Sequence, residues 1–72
     1  MIPQSKKDTS QTLAKQIKAL NSYESIQALQ WIVEFLEKNE IYSAHQCAYS
    51  HREKLESSEL NFILPALEKL AQ

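Results

Sequence analysis

No glycine occurs anywhere in the 72 residues, so no turn here can use the one residue that enters positive φ without steric cost. That absence excludes the phosphate-cradling P-loop, the dinucleotide-binding glycine fingerprint and most two-residue hairpins. Cysteine is nearly as scarce. Cys47 stands alone, so no disulfide forms within the chain, and a lone thiol fits a reducing compartment; the expected location is the cytoplasm. No apolar run approaches the ~18 residues of a membrane-crossing helix. Met1-Ile2-Pro3 followed by polar residues does not read as a signal peptide. A dominant charge is missing too: the net charge is −1, which gives no global pull toward nucleic acid or an anionic membrane.

What remains is rich in Leu, Ala, Glu, Gln, Lys and Ile, mostly strong helix formers. The length allows one domain, and a chain this short buries only about 60% of the surface it exposes when unfolded. Small domains compensate with disulfides, a metal or a second subunit. With one cysteine, the expectation is efficient helix packing or self-association. The charges are segregated: Lys6, Lys7, Lys15 and Lys18 face only Asp8 in residues 1–20, while Glu24, Glu34, Glu37 and Glu40 face only Lys38 in residues 21–40. Solvated helix faces, with the first two helices attracting each other, account for this pattern.

The periodicity predicts an all-α fold: a small four-helix bundle, or two packed helical hairpins. Residues 1–8 read as a flexible tail and residues 9–72 as a single helical domain. Asp8 is positioned to cap a first helix, with Leu13, Ile17 and Leu20 as its narrow apolar stripe. Asn21, with Glu24 three residues on, reads as the cap of a second helix running to about Lys38. There Ile26, Leu29, Val33 and Leu36 form one stripe, widened by Ala28, Trp31, Ile32 and Phe35. A face that broad belongs to a central helix or to one that meets a second chain. Asn39 is the expected left-handed stop. A third helix over residues 41–54 has a face of Ile41, Ala44, Ala48 and Leu55, small enough in the middle for close approach. Ser57 or Ser58 is the expected cap of the fourth, whose Leu60, Ile63, Leu64, Leu67, Leu70 and Ala71 keep helical period. Pro65 lies off that stripe, where the helix either kinks or restarts.

Chemistry-bearing constellations are few. Cys47 and His51, one turn apart, make half a zinc site at most, and His45 points about 200° away from Cys47. A small thiol beside a histidine is the simpler reading, and no metal or cofactor is expected. Nucleophilic catalysis needs a base and an orienting group around a walled pocket. Two residues one helical turn apart do not supply that, so the chain is not expected to be an enzyme. Tyr42, His45, Tyr49 and Arg52 recur along one strip of the third helix, a residue mix that interfaces favour.

The run Ile32-Val33-Glu34-Phe35-Leu36-Glu37-Lys38-Asn39, continuing to Ala44 and ending near Glu53, resembles the LisH motif over about residues 29–53. Glu40 stands where that family usually has glycine after the asparagine, and Ala48 or Tyr49 where it has an aromatic. The resemblance implies a helical hairpin that dimerises as a compact bundle and serves in adaptors or larger assemblies.

The expected function is therefore a non-catalytic protein–protein interaction module. It would bind itself as a homodimer, or another protein, through Ala28, Trp31, Phe35, Tyr42, His45, Tyr49 and Arg52. A small helix-turn-helix DNA-binding regulator or antitoxin-like protein is the competing reading, with Leu64-Pro65-Ala66-Leu67-Glu68-Lys69-Leu70 resembling a repressor's closing helix. Few cations are available to it outside the N-terminal segment, and phosphate contacts dominate DNA affinity.

Overall fold

The computed structural model describes residues 6–71, with side chains from Thr9 onward, and residues 1–5 of the expected tail lie outside that range. Four α-helices follow one another: α1 (Lys6–Lys18), α2 (Gln27–Glu37), α3 (Ile41–Ser50) and α4 (Ser57–Ala71), with a short 3-10 turn at Arg52–Lys54. Helices adjacent in sequence pack together, and α1 closes the arrangement against α4. This is the expected all-α bundle.

Every helix contributes to the core. Leu13, Ala14 and Ile17 come from α1, Ala28, Leu29, Ile32, Val33 and Leu36 from α2, and Ala44 and Ala48 from α3. Leu55 and the α4 residues Ile63, Leu67 and Leu70 complete it. The alanines carry little bulk, so the backbones of α2 and α3 approach closely. Ala71, expected on the α4 stripe, is exposed. Across the α1–α2 contact the segregated charges meet as a Lys18–Glu37 ion pair of 2.7 Å. That carboxylate's hydrogen bond and charge hold the Lys18 ammonium above its ordinary pKa.

The helix boundaries differ from the sequence expectation in ways that tertiary contacts explain. α1 begins at Lys6, so Asp8 lies inside it rather than capping it. α2 begins at Gln27, not after Asn21; its N-cap is Ile26 in extended backbone, without a side-chain cap. Residues 21–25 form turns instead. The Ser22 hydroxyl donates to the Glu59 carboxylate at the start of α4. Gln30 Nε2 donates to the carbonyls of Tyr23 and Glu24, at 3.2 Å each. Leu20, Tyr23 and Ile26 meanwhile pack against the core. The Ser22–Glu59 bond and the Gln30 bonds stand where the capping box of Asn21 and Glu24 was expected.

Asn39 does stop α2 in the left-handed region, at φ 61°. Its N–H donates to the Leu36 carbonyl at 3.0 Å and the Glu40 N–H to the Phe35 carbonyl at 2.8 Å, the paired bonds of a Schellman motif. α3 then folds back along α2. It stops at Ser50, four residues short of the expected end, and the 3-10 turn carries the chain to the buried Leu55. The α4 cap lies one residue before Ser57. The Glu56 carbonyl accepts from Leu60 N–H at 2.9 Å, and the Glu56 N–H donates to Glu59 Oε1 at 3.1 Å, the reaching-back half of a capping box. α4 runs as one helix from Ser57 through the exposed Pro65, so it does not restart there.

Candidate functional site

The α2–α3 hairpin leaves an open trough of about 550 Å³ along its outer side. Trp31 and Phe35, one turn apart on α2, form one wall. Tyr42, Ser43, Gln46, Cys47 and Ser50 of α3 form the other, and His51 closes one end. Trp31 is 40% exposed and Tyr42 74%, while Phe35 is partly buried and packs against the core. A chain that holds two large aromatic rings in solvent this way carries an apolar surface without a partner in its own fold. Histidine apart, no charged side chain lines the trough.

The seven residues expected at an interface separate into three groups. Trp31, Phe35 and Tyr42 share the trough. Ala28 sits in the core at 2% exposure, where the close α2–α3 approach needs its small side chain, so it presents no surface to a partner. His45, Tyr49 and Arg52 lie outside the trough. Arg52 instead covers the Tyr49 ring, with its guanidinium carbon 4.4 Å from the ring centroid, and donates to the Tyr49 carbonyl at 2.8 Å. Ser43, Gln46, Cys47, Ser50 and His51 line the trough without having been expected at an interface. The i, i+3 and i+4 spacing of Tyr42, Ser43, Gln46, Cys47 and Ser50 on one side of α3 was a usable signal. That His51 meets Trp31 was not visible, because the two are far apart in the chain.

His51 is the joint between the walls. Its ring centroid lies 5.3 Å from that of Trp31 at an interplanar angle of 60°. Its Nδ1 is 2.9 Å from the Cys47 carbonyl and 3.8 Å from Cys47 Sγ. A carbonyl only accepts, so the shorter contact requires the proton on Nδ1. That leaves no basic lone pair facing the thiol. Burial pushes the Cys47 thiol above its ordinary pKa, which works against thiolate formation. The pair is therefore arranged as packing and hydrogen bonding, not as a nucleophile and its base. Among the described residues, no three His, Cys, Asp or Glu side chains gather as an ion-holding group. None of the described helices is long and apolar enough to cross a membrane. No family model, curated protein or solved structure matches the chain.

Proposed function

We propose that this chain is a non-catalytic helical interaction module that pairs with a second copy of itself through the α2–α3 trough. The observation that carries the reading is the half-exposed Trp31 beside Phe35 and the protruding Tyr42 around an uncharged trough. A two-fold contact sets a surface against its own copy, so a face of a single charge sign would repel itself. An uncharged trough with an exposed tyrosine on its lip avoids that repulsion and supplies both a recess and a group to fill it.

The resemblance of residues 29–53 to the LisH hairpin points the same way. The single thiol, half-buried at Cys47, suits a reducing compartment, and the cytoplasm is the proposed location. The helix-turn-helix reading places its reader on the third and fourth helices, whereas α3 carries no Lys or Arg and the α4 stripe is turned into the core; Lys6, Lys7, Lys15 and Lys18 lie on α1.

Light scattering across a dilution series tests the proposal. The expected mass is twice the 8.3 kDa of one chain at high concentration, falling toward one chain on dilution. Tyr42→Glu, at a side chain too exposed to matter for folding, should shift that transition at least tenfold upward in concentration. A wild type that stays at one chain mass at high micromolar concentration overturns self-pairing. Salt-dependent binding to duplex DNA would favour the regulator instead.

A further inference from the structure

We draw no further inference here: the strongest candidate, the α2–α3 trough closed at one end by His51, belongs to the site already described, and nothing in the structure shows what covers it.

Discussion

Asn39 holds a backbone conformation that costs an ordinary L-residue roughly 1–2 kcal/mol, and it does so at φ 61° in a chain with no glycine to use instead. Its neighbours depend on it, because the left-handed turn aims the Asn39 and Glu40 N–H groups at the last free carbonyls of α2. Asn39→Ala should therefore lose about 1 kcal/mol in urea unfolding. Asn39→Gly should stay within about 0.5 kcal/mol of wild type, the freer backbone offsetting loss of the 3.5 Å contact from the Ser10 hydroxyl to Asn39 Oδ1. Equal losses in both variants would show that the side chain, not the dihedral, matters there. Glu59 is the other residue with two duties. Buried at 7% exposure, it accepts from the Glu56 N–H and from the Ser22 hydroxyl, joining the α4 start to the α1–α2 connection. Glu59→Ala removes both acceptors and should cost about 1–3 kcal/mol. Glu59→Gln keeps an oxygen for Glu56 and should lose less than half as much. If Gln is as damaging as Ala, the carboxylate charge rather than its bonding geometry is what the site requires.

At the scale of the helix, α4 tests how far the core is shared. Its Ile63, Leu67 and Leu70 are buried against the other helices, so Leu67→Ala should cost ~2–5 kcal/mol. A chain of this length holds only roughly 4–10 kcal/mol in total, so thermal unfolding should move down sharply or lose its cooperativity. Pro65 predicts the opposite sign. It sits exposed within a continuous helix, where it supplies no N–H to the turn before it. Pro65→Ala should stabilise by about 1–2 kcal/mol, the recovered hydrogen bond and lost clash exceeding the chain entropy that proline saves. A lower melting temperature in that variant would show that the helix uses the proline. The same elements show what the sequence could disclose. The stripes of α2 and α4 and the Asn39 stop were legible because side-chain period and a backbone preference act within one helix. The start of α2 was not. Asn21 and Glu24 form a sound local box on paper, yet Ser22 is taken by Glu59 and the Tyr23 and Glu24 carbonyls by Gln30. One of these partners, Glu59, comes from the far end of the chain and could not be read from the local pattern. Ala28 was misplaced for a related reason: its period groups it with Trp31 and Phe35, but only the position of α3 decides which of the three is covered.

For the whole molecule the question is what four short helices do with apolar surface they cannot all cover. The core takes one face of each helix; part of the remainder lies where α2 and α3 meet, with Trp31 at 40% exposure beside Phe35 and His51, while Tyr49 and the α4 residue Phe62 are exposed elsewhere. Trp31 is the chain's only tryptophan, so its fluorescence reports that surface and nothing else. In a single chain the indole is partly wet, and its emission should be red-shifted and readily quenched by acrylamide. On pairing it loses water, so raising the concentration through the mass transition should shift the emission to the blue and protect it from quencher over the same range. The two curves should coincide, because one event drives both. The double variant Trp31→Ala, Phe35→Ser should then stay at one chain mass and keep most of its helical circular dichroism. Trp31 lies largely outside the core, and the Phe35 change removes only a flank of it. Some loss of stability is expected from Phe35, so the single variant Trp31→Ala provides the cleaner comparison: it should weaken pairing at least tenfold while giving up, within the chain, the ring contact with His51. Emission already blue and protected at the lowest concentration, in a sample of one chain mass, would mean that the ring is covered within its own fold. Self-pairing through this trough would then be wrong.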